Sequence, residues 1–405
     1  MQTFELKRVL LWIESSRAYG RGCLMGVAAY CATHSRWRTY HVEHTLEADL
    51  PDFFGSMKFD GVIARAENDK VAEALQNLGV PVVDLRGSYH PRNGRMIDTD
   101  PAACAELAFE HFWARGMTTM AFCGYNNVDY SDRRRDAFLE YAHQRGVKPH
   151  VYESASPPRQ PGGAASTLLS EARGEIESEE LLAWLRSLPK PVAVFASNDI
   201  RGRQVLSACT AAGIAVPEQV AVLGVDNDEV ICELAYPPLT SIEPDTRAIG
   251  YAGAASLDRL LTDPGITPSS SVRLIQPTSV VTRQSTDITA IEDLEIAQAV
   301  NIIRKQAGAI RSVGDLATAV GISRATLERR FRTALGRSPR QEIDRVRLNH
   351  ARTLVRGTTY PLHQIAELVG YSNPSRLLDA YKRRFGVTPG VDRTQSDDPF
   401  RDLTA

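Results

Sequence analysis

Short apolar runs alternate with amphipathic stretches along the first 285 residues of the chain. Residues 9–14, 61–64, 80–85, 120–124, 192–197 and 220–225 are nearly continuous in apolar side chains. Such continuity marks strands buried on both faces, as in a parallel sheet, rather than half-exposed strands with alternating polarity. Helical periodicity predicts helices over 22–34, 70–78, 102–115, 134–145, 179–188, 201–212 and 246–261. Alternation of strand and helix implies βαβ units in doubly wound parallel sheets. There are too many alternations for one small sheet, so two α/β lobes with a cleft between them are expected. Any ligand would then sit beyond the C-terminal ends of the strands.

The pattern changes further along. Residues 154–174 carry Pro157, Pro158, Pro161, Gly162 and Gly163 and read as a surface loop. Residues 292–393 show only helical periodicity, and the acidic end 394–405 reads as a disordered tail. The expected organisation is therefore an effector domain over 1–285, a linker over 286–291, an all-α domain over 292–393, and the tail.

The all-α stretch repeats itself. Leu316-Ala317-x-x-Val320-Gly321-Ile322-Ser323 is echoed by Ile365-Ala366-x-x-Val369-Gly370-Tyr371-Ser372. An apolar pair one turn apart follows each copy, first Leu327 and Phe331, then Leu377 and Tyr381. The copies close on Gly336-x-Ser338-Pro339 and Gly386-x-Thr388-Pro389. Two helices that cross steeply need a small residue at the turn, and Gly321 and Gly370 supply it. The apolar pair buries the inner stripe of the second helix and leaves its outer stripe for DNA. Ile343, Val346, Ala351 and Leu354 share one face of a predicted connecting helix. Two recognition helices in one chain would enter successive major-groove segments roughly 34 Å apart. Arg324, Ala325, Glu328 and Arg329 face outward on the first, and Asn373, Ser375, Arg376 and Asp379 on the second. Arg329 and Arg376 suit bidentate contact with guanine. Lys382, Arg383, Arg384, Arg332 and Arg340 suit phosphates.

These residues resemble the DNA-binding domain of the AraC/XylS family over about a hundred positions. Leu327-x-Arg329-x-Phe331, Arg347, Ala351, Ile365-Ala366, Gly370-Tyr371, Ser375 and the two Gly-x-(Ser/Thr)-Pro closings carry the match. Three positions depart from it: Leu377 and Tyr381 stand where the family usually has Phe, and Asp392 where it usually has Tyr.

In the first domain, polar groups collect at the predicted strand ends. Tyr19-Gly20-Arg21 follows the first strand, Arg133-Arg134-Arg135 opens a helix, and Ser197-Asn198-Asp199 and Asp226-Asn227-Asp228 end two more strands. Asp, Asn and Arg offer planar, multi-pronged groups for the vicinal hydroxyls of a sugar, and Tyr19 or Tyr89 could cover its apolar face. Helix capping and ordinary surface charge remain open for each of them. Ser197-Asn198-Asp199, Gly224-x-Asp226-Asn227 and Pro237-Pro238-Leu239-Thr240-Ser241-Ile242 resemble the effector domain of LacI/GalR regulators and periplasmic sugar-binding proteins. That resemblance implies ligand contacts from Arg134, four residues before Phe138, and from Asn198 and Asp226. Tyr19, Arg21, Tyr89, Asp199 and Asn227 complete the expected set.

A sugar receptor ahead of an AraC-type reader resembles the bacterial xylose-operon activators. Ala18-Tyr19-x-Arg21, Gly87-Ser88-Tyr89-His90 and Gly321-Ile322-Ser323-Arg324 carry this in chain order. The resemblance implies a pentose, xylose first.

Charge supports the division. Residues 290–395 hold 18 Lys+Arg against 10 Asp+Glu, a net of +8, while residues 1–289 hold 28 against 36, a net of −8. Only the basic part should meet a polyanion. The six cysteines form no CxxC pair and read as buried free thiols of a reducing cytoplasm. No nucleophile elbow, phosphate loop or paired acid and base is present, which argues against an enzyme with a DNA-binding appendage. The duplicated helix-turn-helix argues against a transport-type binding protein. The expected partners are double-stranded DNA, a sugar or other small polar ligand, and a second copy of the chain, with RNA polymerase left open. No cofactor, metal or membrane is called for.

Overall fold

The computed structural model describes residues 6–34, 37–86, 94–153, 166–263, 272–287, 293–310, 312–335, 337–358 and 360–396. The chain divides into two units, residues 1–290 and 291–405.

The first unit begins with β1 (Lys7–Trp12), α1 (Ala18–Thr33), β2 (Trp37–His41), β3 (Gly61–Ala64), α2 (Asp69–Gln76), β4 (Val82–Asp84) and β5 (Gly94–Thr99). It then builds a second lobe from α3 (Pro101–Trp113), β6 (Met120–Cys123), α4 (Asp129–Gln144), β7 (His150–Tyr152), α5 (Thr167–Ile176), α6 (Ser178–Ser187), β8 (Val192–Ala196), α7 (Asp199–Ala211), β9 (Val220–Val225), α8 (Glu229–Leu234) and β10 (Thr240–Glu243). The chain returns to the first lobe for α9 (Thr246–Thr262) and β11 (Val272–Ile275), and ends in the second with β12 (Ser279–Val281). The sheet orders are β11-β5-β4-β3-β1-β2 and β12-β10-β9-β8-β6-β7. Every pairing is parallel except β10 with β12.

Each sheet is covered on both faces, so each lobe has two cores. Val9, Ile63 and Val83 pack under α1 and α9, while Leu10, Val62 and Val82 pack on the opposite side. Ala193, Phe195 and Leu223 meet α3 and α4, while Val194, Val220 and Val222 meet α6 and α7. The lobes join at three crossings, which bond to one another. Asp100 N–H donates to Ile275 O (2.9 Å) and Thr278 N–H to Glu243 O (2.8 Å).

The apolar runs locate β1, β3, β4, β6, β8 and β9, but the four edge strands β2, β7, β11 and β12 and the more polar interior strands β5 and β10 escape them. Edge strands lie partly in solvent and mix polar with apolar residues; β2 reads Trp-Arg-Thr-Tyr-His. Three expectations are corrected. Residues 167–174, read as loop, lie in the helix α5; residues 154–165 lie outside the described residues. The helix expected from Arg134 starts at Asp129. The linker expected from residue 286 starts later, because Ser285 and Thr286 are fully buried in the second lobe. Thr286 Oγ1 bonds Thr240 Oγ1 (2.8 Å) and His111 Nε2 (2.7 Å), and its carbonyl accepts from Arg115 Nε (2.9 Å). Ser285 Oγ donates to Val222 O (2.6 Å).

The second unit contains α10 (Leu294–Gln306), α11 (Val313–Ala319), α12 (Arg324–Leu335), α13 (Pro339–Gly357), α14 (Leu362–Leu368), α15 (Pro374–Phe385) and α16 (Pro389–Ser396). The repeat corresponds to α11–α12 and α14–α15, with α13 between them. Ser312 and Ser338 begin α11 and α13 with capping boxes. Leu327, Phe331, Leu377 and Tyr381 are fully buried, as the repeat predicts. Residues 394–396, expected in the tail, close α16 instead, and Gly336 and residues 397–405 lie outside the described residues. Among the described residues no helix is long and apolar enough to cross a membrane.

Gly321 and Gly370 both have the left-handed backbone expected at the turn, with φ of 73° and 81°. Their surroundings differ. A Cβ at Gly321 would meet open space, whereas one at Gly370 would strike the Gly308 carbonyl and lie 2.9 Å from Gly308 Cα. Gly321→Ala should therefore cost only the left-handed strain of about 1–2 kcal/mol, whereas Gly370→Ala should cost about 3 kcal/mol or more through added overpacking. All four tryptophans lie in residues 1–290, so helical circular dichroism should register both losses while tryptophan fluorescence unfolding stays unchanged.

Burial, and then Arg115, pull the His111 imidazole down to about 3. The unfolded imidazole takes up its proton near pH 6.5, so stability is complete above that pH and falls as pH drops toward 3. Between pH 7 and pH 5 this one group should remove about 2 kcal/mol. His111→Gln should shrink the pH 7 to pH 5 difference in urea unfolding by that amount.

Candidate functional site

A cleft of about 450 Å³ lies between the lobes, at the C-terminal ends of β1, β3, β4, β5, β8 and β9. Its lining includes Arg17, Tyr19, Arg65, Arg86, Asp98, Tyr130, Arg133, Arg134, Asn198 and Asp226. Arg65, Arg86, Asn198 and Asp226 stand one or two residues past β3, β4, β8 and β9, at the strand ends where such a crevice opens.

Six arginines line the cleft, and all but Arg21 are paired with carboxylates. Arg65 bonds Glu14, Arg86 pairs with Glu67, and Arg134 Nη2 donates to Asp226 Oδ1 (3.4 Å). The other two pairs span the lobes. Arg17 Nη1 and Nη2 donate to Glu171 Oε1 (3.1 Å) and Oε2 (2.6 Å), and Arg133 Nη2 donates to Asp98 Oδ2 (2.9 Å). The Ala18 N–H reaches Asp228 Oδ2 (3.4 Å) across the same gap. At the rim, Glu47 of the first lobe accepts from Ser166 Oγ (2.8 Å) and Leu168 N–H (3.0 Å) at the start of α5.

The structure brings most of the expected ligand residues together but changes several roles. Arg134 is buried, donates to Ser197 O (2.5 Å) and lies over the Tyr130 ring. Asp226 and Asn227 hold positive φ, 111° and 45°, a strained backbone of the kind that clusters at functional sites. Burial raises the Asp226 carboxyl, while Arg134 pulls it back. Asp199 is fully enclosed and accepts from Ser241 Oγ (2.5 Å) and Asp228 N–H (2.8 Å). Burial, and then Asp226, push its carboxyl well above the usual range.

Asn198 lines the cleft, but its amide is already occupied. Its Oδ1 accepts from Arg201 N–H (2.9 Å), and its Nδ2 donates to Glu171 Oε1 (2.9 Å) and Tyr130 Oη (3.0 Å). Both amide protons are thus spent inside the protein. Tyr19 is no open stacking platform: Arg65 lies 4.3 Å over its ring, and its hydroxyl bonds Thr99 Oγ1 (3.0 Å). Arg21 sits at the mouth, bonded to Ser15 O (2.9 Å). Asn227 is not among the lining residues; its N–H donates to Ser241 Oγ (3.0 Å). Tyr89 lies outside the described residues.

Sequence reasoning missed Arg17, Arg65, Arg86, Asp98, Tyr130 and Glu171. Arg65 and Arg86 stand just past β3 and β4, the same strand-end signal that selected Asn198 and Asp226. Asp98 hides in the polar strand β5, and Glu171 in the segment read as loop. Among the described residues no metal-ligating cluster forms.

The second unit presents Arg324, Ala325 and Arg329 on α12 and Ser375, Arg376 and Asp379 on α15, all exposed. Arg324 Nε bonds Glu328 (2.9 Å), so these two form a surface pair. Asn373 is the N-cap of α15, its oxygen taken by Arg376 N–H (2.9 Å), which leaves only its amide protons for a base. Lys382, Arg383, Arg384 and Arg332 are exposed, and Arg340 pairs with Asp344 (3.3 Å). Arg340, Arg376, Arg383 and Arg384 border one groove of about 950 Å³ with Tyr371. Arg347 is buried and donates to Ala307 O (2.9 Å) and Ile310 O (2.8 Å), tying α13 to the end of α10.

Known proteins fit both units. Residues 8–96 match the XylR N-terminal domain, 109–286 a periplasmic binding protein-like domain, and 316–395 a helix-turn-helix domain. The xylose operon regulatory protein of Haemophilus influenzae is 30% identical over 400 residues, covering 96% of this chain and 98% of that protein. Its Escherichia coli K12 counterpart is 31% identical over 391 residues, 94% and 95% of the two chains. The solved structure of a xylose-binding transcription activator, xylR, superposes with a TM-score of 0.78 at 29% identity over 97% of this chain and 99% of that one. A cellobiose complex of the regulator CelR, at 20% identity and a TM-score of 0.53 over 69% of this chain, shares the fold.

Proposed function

Because the chain belongs to the family of xylose operon regulatory proteins, we propose that its cleft takes a pentose, xylose first, and that lobe closure on the sugar changes how its paired helix-turn-helix units hold an operator. It is a DNA-binding transcription regulator, not an enzyme. The observation that carries the sugar reading is the cleft itself. Five of the six arginines that line it, all but Arg21 at the mouth, are matched to carboxylates, so it offers many directional hydrogen bonds while its inner guanidinium charges are compensated. A neutral polyol suits such a lining, because a charged ligand would leave one member of a buried pair uncompensated. Arg134 and Asp226 hold the sugar in this reading, with Tyr130 beside them and Arg17 opposite. The regulator works in the cytoplasm as a homodimer and meets RNA polymerase at its promoter.

D-xylose added to the purified protein on its operator should change the affinity or the footprint. Asp226→Ala should lose the response while keeping the unliganded footprint. A titration that leaves both affinity and footprint unchanged would remove the coupling. Arg376→Ala should lose about 1–3 kcal/mol on the operator and much less on random duplex. Equal losses on both, measured by fluorescence anisotropy at one salt concentration, would make Arg376 a phosphate contact instead.

A further inference from the structure

We propose, on the sugar-receptor reading above, that Glu171 is a positioning residue of the effector site: its carboxylate orients Arg17 from one lobe and Asn198 from the other, and so determines which sugar the cleft prefers. Glu171 does not line the cleft. It lies directly behind two residues that do, and it is 5% exposed. A bidentate fork fixes the plane of the Arg17 guanidinium as well as its place.

The second arm runs through Asn198. With Oδ1 capping α7 and one amide proton on Glu171, the other amide proton points at Tyr130 Oη. The Tyr130 hydroxyl accepts that bond and keeps its own proton to donate toward the cleft it lines. Burial holds this phenol protonated, well above its ordinary range. A ligand oxygen would therefore meet a guanidinium and a phenol whose directions both originate at one carboxylate.

The carrier of that carboxylate is held independently of the side chain. Gln204 Nε2 donates to Glu171 O (2.8 Å), and Gln204 Oε1 accepts from Tyr125 Oη (3.0 Å) and Arg201 Nη1 (3.0 Å). Gly174 packs on Gln204 too closely for a Cβ. At its other end α5 is latched to the first lobe by Glu47, and Thr167 also bonds Glu67. Removing the Glu171 charge should thus leave the helix in place.

The test uses the full-length protein and calorimetric titration with D-xylose, D-ribose, L-arabinose and D-glucose. Glu171→Gln places an amide donor against Arg17 and Asn198. It should weaken the preferred sugar by about 10–100-fold and bring it within about threefold of the others. Glu47→Gln loosens only the latch, so it should weaken every sugar by one common factor and keep their ranking. Glu171→Asp, which keeps the charge but retracts it, should give an intermediate loss of ranking, and it decides the matter if thermal melting shows that the amide variant is unfolded. An unchanged ranking in the folded Glu171 variants overturns the positioning role, whether or not overall affinity falls. Failure of the wild-type protein to bind any of the four sugars overturns the receptor reading itself, and the role of Glu171 with it.

Discussion

A guanidinium taken out of water must find a counter-charge, and the receptor unit is arranged around that requirement. An unpaired buried ion is among the most expensive features a fold can carry, while a paired one with good geometry is roughly neutral in stability. Arg65 and Arg86 find their carboxylates within their own lobe, at Glu14 and Glu67. Arg17 finds its own only across the gap, at Glu171, and Arg133 shares its charge between Asp98 across the gap and Asp129 on its own helix. The lobes therefore hold together through bonds that water would have to replace if they parted. The same pairing leaves a cavity rich in directed donors and acceptors. Ligand geometry and lobe geometry are one problem, because the same side chains serve both.

The sequence reveals most of what is central and little of what is peripheral. Strands flanked by neighbours on both sides, such as β3, β8 and β9, are apolar throughout and stand out. Strands at a sheet edge, or those that turn polar residues toward the cleft, do not; β5, with Asp98 and Thr99, reads as ordinary polar chain. Strand ends are also legible, since a polar residue just after an apolar run lies at the crevice, as Asn198 and Asp226 do, whereas Arg134, inside α4, is marked only by the family resemblance. Hydrogen-bond allegiance is not legible. Asn198 looks like a ligand residue because it stands where one would stand, yet its amide serves α7, Glu171 and Tyr130. Asn373 likewise looks like a base reader, yet its oxygen is committed to capping α15. Glu171 was hidden because its proline- and glycine-rich approach masked the start of α5, although Ser166 is a good N-cap.

In the DNA-binding unit the internal repeat made both helix-turn-helix elements visible, but it concealed how differently they are supported. The first recognition helix is tied by Arg330 to Asp293 (2.6 Å) and Glu295 (2.8 Å) at the start of α10. The second is seated through Gly370 against Gly308, with Arg347 holding the carbonyls of Ala307 and Ile310. Two of the departures from the AraC/XylS pattern prove to be partners. The Tyr381 hydroxyl donates to the buried Asp392 carboxylate (2.6 Å), which also accepts from Arg352 Nε (2.9 Å). A phenylalanine at 381 would leave that carboxylate one donor short, and a tyrosine at 392 would leave Arg352 without its acceptor. Each residue looks odd alone and is explained by the other.

The end of the receptor unit limits how a signal can leave it. Ser285 and Thr286 are stitched to Val222, Thr240, His111 and Arg115, all in the second lobe. The chain beyond them must start from the orientation of that lobe rather than from a loose joint. A ligand can bias that orientation only by what it binds differently in two arrangements of the lobes. Because Arg17 and Arg133 already bond Glu171 and Asp98 across the gap, a sugar that merely exchanged one of those bonds for another would shift nothing. Such leverage would come from a group like Arg17, whose partner Glu171 stands on the other lobe and fixes its direction only when α5 is docked on the first.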